Sequence, residues 1–317
     1  MSPDLNPAPQ RVLVFGATGT AGQGAVRALI AQGHDVTCFV RTSRGVTGDI
    51  IGDVTEPQKA CINRNFDVVV SCLASRSGAP VDAWAIDHAA HLRILDLAKQ
   101  VGASQFVLLS AICVQKPLLP FQQAKLAFEA ALIASGLTYS IVRPTAFFKS
   151  LSGQIDRVRQ GKPFLVFGDG TLTACKPLSD DDLGQFIAGC IGDITRHNRI
   201  LPIGGPGSAM TPIEQGHLLF ALTGMPPKFR CVPVTLLDII QRGLAIGGRF
   251  SPKLATKAEL ARIGRYYATE SMLVLDPVTG RYDADATPST GSDTLEAHYA
   301  SVIAGDTQVH RGDHAVF

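Results

Sequence analysis

Phe15-Gly16-Ala17-Thr18-Gly19-Thr20-Ala21-Gly22 is the stretch whose reading decides the fold of this chain. An apolar run at residues 12–15 precedes it. Residues 21–32 follow, in which Val26, Leu29 and Ile30 recur at helical spacing until Gly33 ends the segment. The spacing is Gly-x-x-Gly-x-x-Gly. In a strand–turn–helix, Gly16 allows the tight turn, Gly19 lets a pyrophosphate approach the backbone, and Gly22 lets the helix pack closely on the strand. The free N–H groups and positive end of the helix then face the phosphates, with Thr18 and Thr20 beside them. Three glycines alone are weak evidence. Set between a strand and an amphipathic helix, they predict dinucleotide binding.

Outward from this turn the chain alternates. Strands are expected at residues 36–40, 50–51, 66–71, 106–110 and 139–142, and helices at 88–100 and 122–134. Val68, Val69 and Val70 are apolar on both faces, as in a parallel strand covered on each side. The alternation predicts an α/β fold: a Rossmann-type, doubly wound parallel sheet over residues 11–149 that holds the dinucleotide. Past Lys149 the rhythm is lost and Gly and Pro cluster. Helices are expected near 181–192, 211–222 and 234–244, in a smaller irregular C-terminal lobe, residues 150–303, that binds substrate. Residues 1–10 and 304–317 read as flexible tails.

Composition narrows the class. The 317 residues are 46% hydrophobic and 18% charged, enough to bury a core, and the net charge of +2 lacks the basic excess of a nucleic-acid binder. No apolar run approaches the roughly 18–20 residues of a membrane span. The polar, Pro-rich start lacks both a secretory h-region and an Arg-rich transit pattern, so a cytoplasmic location is expected. Seven cysteines without a Cys-x-x-Cys pair read as reduced thiols. No histidine spacing suits a metal; His88 and His91 read as surface or core side chains.

The end of the second strand selects the dinucleotide. An NAD site generally places Asp or Glu there, on the ribose 2′-hydroxyl. Here the residues are Val40-Arg41-Thr42-Ser43-Arg44. Arg41 and Arg44 suit a 2′-phosphate, which predicts NADPH; the alternative is a pair of solvated loop cations. Asp53 is a candidate neighbour of the adenine, or a turn residue.

The glycine turn, Ser110 at a strand end, Lys125 in the next helix and Arg143-Pro144-Thr145 after the following strand resemble the atypical short-chain dehydrogenase/reductase superfamily. The resemblance implies NADPH bound with Lys125 at the nicotinamide ribose and Pro144, Thr145 and Phe147 near the nicotinamide. A more specific likeness lies in Ser110-Ala111-Ile112-Cys113-Val114-Gln115-Lys116-Pro117-Leu118-Leu119, Arg143 to Leu151, Phe167-Gly168-Asp169-Gly170, Leu172-Thr173-Ala174-Cys175-Lys176-Pro177, Glu270-Ser271-Met272-Leu273-Val274 and Asp293-Thr294-Leu295-Glu296. Over residues 11–303 these are similar to NADPH-dependent divinyl chlorophyllide 8-vinyl reductases. That implies reduction of the 8-vinyl group of a divinyl chlorophyllide or protochlorophyllide to ethyl, in chlorophyll or bacteriochlorophyll synthesis. It also implies a bacterial phototroph, with peripheral contact to a pigment-making membrane left open.

The superfamily's Tyr-x-x-x-Lys is broken here. Phe121 occupies the tyrosine position before Lys125. A phenyl ring transfers no proton, which argues against alcohol–ketone chemistry and suits hydride addition to a conjugated vinyl group. The expected order is hydride to the outer vinyl carbon and a proton to the inner one. Lys125 and Ser110 are the candidate catalytic residues, and Ser110 has a structural role as its alternative. Cys113, Gln115, Lys116, Glu129 and Tyr139 are candidate proton donors or pigment contacts. Cys175 either lines the pocket or belongs to the scaffold. Phe147, Phe148, Phe164, Phe167 and residues 118–121 would supply an apolar cleft or plain core, and Lys149, Lys176 or Arg157 would meet a propionate. The competing readings are another NADPH-dependent double-bond reductase and a non-catalytic NADP-binding regulator.

Overall fold

The structure is a computed structural model that describes residues 8–307; the expected tails 1–10 and 304–317 fall largely outside them. The elements run β1 Arg11–Phe15, α1 Thr20–Ala31, β2 Asp35–Val40, β3 Ile50–Ile51, β4 Val68–Ser71, α2 Pro80–Ala83, α3 His91–Gln100, β5 Gln105–Leu109, α4 Pro120–Ile133 and β6 Thr138–Pro144. Then come α5 Phe148–Leu151, α6 Ile155–Arg159, β7 Phe164–Phe167, α7 Asp180–Ala188, β8 Arg199–Ile203 and α8 Pro212–Thr223. The chain continues through β9 Phe229–Val232, α9 Val234–Gly248, α10 Pro252–Thr269, β10 Val274–Leu275, β11 Tyr282–Asp283 and α11 Leu295–Ala304.

Seven strands form one sheet in the order β3-β2-β1-β4-β5-β6-β8, and every pair is parallel. Val12 to Phe15, Val68 to Val70 and Phe106 to Leu108 are buried, because helices cover both faces. The strand order reverses between β1 and β4, the switch point where doubly wound folds bind ligands at the carboxyl edge. One face packs α1 and α7 around Ala25, Leu29, Leu183 and Ile187; the other packs α3 and α4 around Ile94, Leu97, Phe128 and Leu132.

α1 and α7 approach so closely that their contact requires glycine on both. A Cβ on Gly24 would sit 2.2 Å from the Asp180 carbonyl oxygen, and one on Gly184 would sit 2.3 Å from that of Gly24. β8 and α7 both come from beyond residue 149, so the sheet and its covering layer draw on the sequence expected to form the second lobe. β8 carries few sequence cues. It is a sheet edge, which tolerates Pro202 where a central strand would not.

The rest of the chain builds a smaller lobe over the carboxyl edge. The parallel pair β7–β9 packs with α8 and α11 around Phe148, Phe164, Phe220 and Tyr299. Residues 211–222 were expected to be helical, and α8 starts with a reciprocal cap: Thr211 Oγ1 accepts from the Glu214 N–H, and Glu214 accepts from the Thr211 N–H. α10 and α11 lie outside the helices read from sequence. In α10, Lys257, Glu259, Arg262 and Arg265 interrupt any apolar stripe, and its place comes from packing on α9.

Candidate active site

The glycine turn is built as its spacing implies. Gly16 has φ +75°, and a Cβ there would lie 2.5 Å from the Cys72 backbone at the end of β4. A Cβ on Gly22 would lie 2.1 Å from the Gly16 carbonyl oxygen. Both positions are closed to any side chain. At Gly19 the nearest atom would be 3.5 Å away, so the turn leaves an open face there. Thr18 and Gly19 are exposed at that face, and the Thr20 hydroxyl accepts a hydrogen bond of 2.9 Å from Lys149 Nζ. An ammonium from the start of the second lobe thus reaches the amino end of α1, where the N–H groups already favour an anion. The sequence reading placed Lys149 at a pigment carboxylate. Its position at the turn follows from the fold, since 129 residues separate it from Thr20.

At the end of β2 the two arginines differ. Arg44 makes a forked pair with Asp49, at 2.8 and 2.7 Å, so its guanidinium is already engaged within the loop. Arg41 is exposed and makes no ion pair among the described residues. Asp53 caps its own turn: Oδ1 accepts from the Thr55 N–H and hydroxyl, and these bonds hold its carboxyl below the usual range.

Across the switch point lies a buried polar cluster. Lys125 Nζ on α4 is 3.0 Å from Asp87 Oδ1, and the aspartate side chain is wholly buried. Asp87 sits in a π-helical segment, Trp84–Ala90, a rare widening that often marks functional sites. Its Oδ1 also accepts from the Ser75 N–H at 3.3 Å, while Oδ2 has no partner. Burial pushes the Asp87 carboxyl up, but the charge of Lys125 and the hydrogen bonds from Ser75 and Lys125 together outweigh it, and the net shift is downward.

His91 lies beside this pair, inside the protein rather than at its surface. Its Nδ1 faces the Ile86 carbonyl oxygen at 2.8 Å and its Nε2 faces the Ser71 hydroxyl at 3.0 Å. A carbonyl only accepts, so Nδ1 carries the proton and Ser71 donates to Nε2. Burial, with the Lys125 charge, lowers the imidazole to about 4 and keeps it neutral. The sequence reading did not single out Asp87, and it took His91 as a surface or core side chain of the helix.

Ser110 ends β5, but its hydroxyl donates to Glu129, which is itself paired with Arg143. It braces β5, α4 and β6 together. Pro144 closes β6. The Thr145 hydroxyl donates to the Lys176 carbonyl, and Phe147 bridges to Leu178, so this edge is tied to the second lobe. Phe121 packs with Cys113, Ile263 and Tyr266. Of the cations expected at a propionate, Lys176 is buried and donates to Thr287 O and Ser289, and Arg157 donates to Pro163 O. Phe148 and Phe164 are core residues. Cys175 bridges to Met210 and Met272 in the scaffold between segments. Among the described residues, no group of three metal-binding side chains comes together.

The open face at Gly19 and the cation at Lys149 meet at the amino end of α1 and fit the phosphates of a nicotinamide dinucleotide. A family model for NAD(P)H-binding proteins matches residues 16–193. Among solved structures, the epimerase Mth375 of Methanothermobacter thermautotrophicus superposes with a TM-score of 0.67 at 15% identity, over 95% of each chain. MoeE5 in complex with UDP-glucose and NAD gives 0.58 at 22% identity, over 70% of this chain and 85% of that one. At these identities the likeness shows the fold alone. The fold and site define an NAD(P)-dependent oxidoreductase of the atypical short-chain dehydrogenase type.

Closer relatives refine the class. The divinyl chlorophyllide a 8-vinyl-reductase of Cucumis sativus is 47% identical over 98% of this chain and 81% of its own length. That of Arabidopsis thaliana is 48% identical over 94% of this chain and 78% of its own. The chain belongs to the divinyl chlorophyllide a 8-vinyl-reductase family.

Proposed function

We propose that this protein reduces the 8-vinyl group of a divinyl chlorophyllide, or of the corresponding protochlorophyllide, to ethyl with NADPH as the reductant. The observation that carries the reading is identity near 47% over almost the whole chain to 8-vinyl-reductases, on a fold whose site matches the reaction. Phe121 in place of a phenol at the Lys125 helix supports it, since no alkoxide forms when a vinyl group is reduced.

The reduced nicotinamide supplies the hydride when bound. The chain's own residues hold and orient it. The open backbone at Gly19, the free N–H groups that start α1 and the Lys149 ammonium receive the pyrophosphate. Arg41 takes the 2′-phosphate, with Arg44 fixed beside it by Asp49, and Asp53 lies toward the adenine. Lys125 binds the ribose and places its charge next to the reacting carbons, held there by Asp87. Pro144, Thr145 and Phe147 form the wall behind the nicotinamide. Ser110 acts by bracing β5 and α4.

A cytoplasmic protein in peripheral contact with a membrane is part of this reading. The support is α9, from which only Leu237 is buried. Ile239 and Ile246 are 66% and 63% exposed, with Leu236, Ile240 and Phe250 on the same side and Arg242 and Arg249 along its flank. No helix among the described residues is long and apolar enough to cross a membrane.

The test is an anaerobic reaction of the purified protein with NADPH and 3,8-divinyl chlorophyllide a. A blue-shifted Soret band and a mass gain of two hydrogens are expected. NADPH binding without turnover would favour a regulator instead.

A further inference from the structure

Reduction of a vinyl group needs a proton as well as a hydride, and the helix that carries Lys125 has a phenyl ring where the Tyr-x-x-x-Lys pattern has a phenol. The segment at the end of α10 is fastened across the loop that follows β5. Tyr266 donates its hydroxyl to the carbonyls of Cys113 and Lys116, at 2.9 and 3.2 Å. Lys116 pairs with Glu270 at 2.7 Å, and Glu270 also accepts from the Tyr282 hydroxyl at 2.8 Å. The Gln115 side chain donates to Leu273 O and accepts from the Leu275 N–H. One turn earlier in α10, Ile263 packs in the cluster that holds Phe121.

These contacts fix the position of the next side chain, Tyr267. Its hydroxyl lies 3.8 Å from the sulfur of Cys113, which is buried and close enough to Lys125 to feel its charge. The ring is 39% exposed, yet its hydroxyl is turned inward. Two tyrosines side by side therefore do different things. Tyr266 is spent on backbone carbonyls, whereas among the described residues the Tyr267 hydroxyl meets a thiol, a weak partner that leaves its proton available.

We propose that Tyr267 is the acid of the reaction, a phenol brought by α10 to the site that lacks one at position 121. The inference rests on the reductase reading above. The hydride, with its two electrons, goes to one vinyl carbon. The Tyr267 O–H bond breaks, a C–H bond forms at the other carbon, and the phenolate regains a proton from solvent once the product has left. Lys125 stabilises the charge that develops meanwhile. Burial of the hydroxyl, and Cys113 beside it, raise the phenol well above its usual range, so it is fully protonated at neutral pH.

The test compares Tyr267→Phe and Cys113→Ala with the wild type, using NADPH and 3,8-divinyl chlorophyllide a. Tyr267→Phe keeps the ring and removes the proton. Its kcat should fall about 100-fold or more, with KM and NADPH affinity (followed by nicotinamide fluorescence) changed by no more than about twofold. Cys113→Ala removes the thiol that Tyr267 meets and should lower kcat by much less than Tyr267→Phe does. A Tyr267→Phe enzyme with unchanged kcat, or one whose cofactor binding falls along with its kcat, overturns the proposal. So does loss of kcat in Cys113→Ala alone, which moves the acid to the thiol. A wild-type protein that binds NADPH but leaves the vinyl group intact overturns the reductase reading itself, and the two failures are thereby distinct.

Discussion

Lys125 on α4 and Asp87 in the π-helical segment form an ion pair of 3.0 Å in which the carboxylate is wholly buried and one of its oxygens has no partner. Lys125 therefore owes its position to a residue 38 places away, on another helix. The pair couples the cofactor site to stability. Asp87→Asn leaves the ammonium without its counter-charge, at an expected cost of about 3 kcal/mol. Because the Asp87 carboxyl is depressed in the folded state, its contribution is complete above the ordinary carboxylate range. It is lost as pH falls through the lowered value. Urea unfolding of both proteins at neutral and acidic pH checks this: the gap between them should close on the acid side.

The three turn glycines should separate by function. Gly22→Ala puts a carbon 2.1 Å from the Gly16 carbonyl oxygen, and Gly16→Ala adds a strained φ to a backbone clash. Both should lower the melting temperature with or without cofactor. Gly19→Ala meets nothing nearer than 3.5 Å. Its melting temperature should stay near wild type, and the stabilisation that NADPH gives should shrink. Thermal shift with and without NADPH reads both effects.

Arg41 should decide the choice of dinucleotide. Arg44 is held by Asp49, so Arg41 is the arginine in this loop free to meet a 2′-phosphate. Arg41→Ala should weaken NADPH binding about 10- to 100-fold, the worth of a charge-assisted hydrogen bond, and leave NADH binding nearly unchanged. Fluorescence titration with the two cofactors measures the ratio.

Asp180, the first residue of α7, is pushed up to about 6 by burial, against the opposing charge of Lys149. A carboxyl raised in the folded state takes up protons on folding, so stability falls as pH rises from its ordinary value of 3.8 through about 6. Asp180→Asn removes this dependence. The variant should gain on the wild type in melting temperature between pH 5 and 8, along the titration of one carboxylate. No such gain means the carboxyl is not desolvated.

The exposed stripe of α9 should bind an anionic bilayer. Between residues 234 and 257 the acidic side chain is Asp238, already paired with Arg265, against Arg242, Arg249, Lys253 and Lys257. Ile239→Asp with Ile246→Asp should cut co-sedimentation with phosphatidylglycerol vesicles at least about tenfold, given roughly 1.5–3 kcal/mol per buried aliphatic side chain. Neutral phosphatidylcholine vesicles should bind both proteins weakly.

Much of the scaffold was legible in order along the chain. β1, β2, β4, β5 and β6 are short apolar runs between breakers, and α1, α4, α8 and α9 carry helical periodicity, so local pattern was enough. α10 escaped because its charged residues interrupt the pattern, and β8 because a five-residue edge strand containing proline has little pattern to show. At the site, the glycines and Lys125 were visible as motif. Asp87 and His91 were not, because an aspartate and a histidine in a helix look solvated until the fold buries them.

The sequence by itself determined the turn. A positive φ at Gly16 and the contact at Gly22 are local demands that glycine alone meets, so three glycines set between an apolar run and a helical one announce a dinucleotide fold. It also determined the absence of a phenol at position 121. Only the tertiary structure decided what surrounds Lys125. Asp87 and Cys113 come to it from separate segments, Tyr267 reaches Cys113 from a third, and Lys149 crosses from the second lobe to Thr20. Such meetings depend on how helices close over a sheet edge, a packing outcome of the whole core that no window of sequence contains.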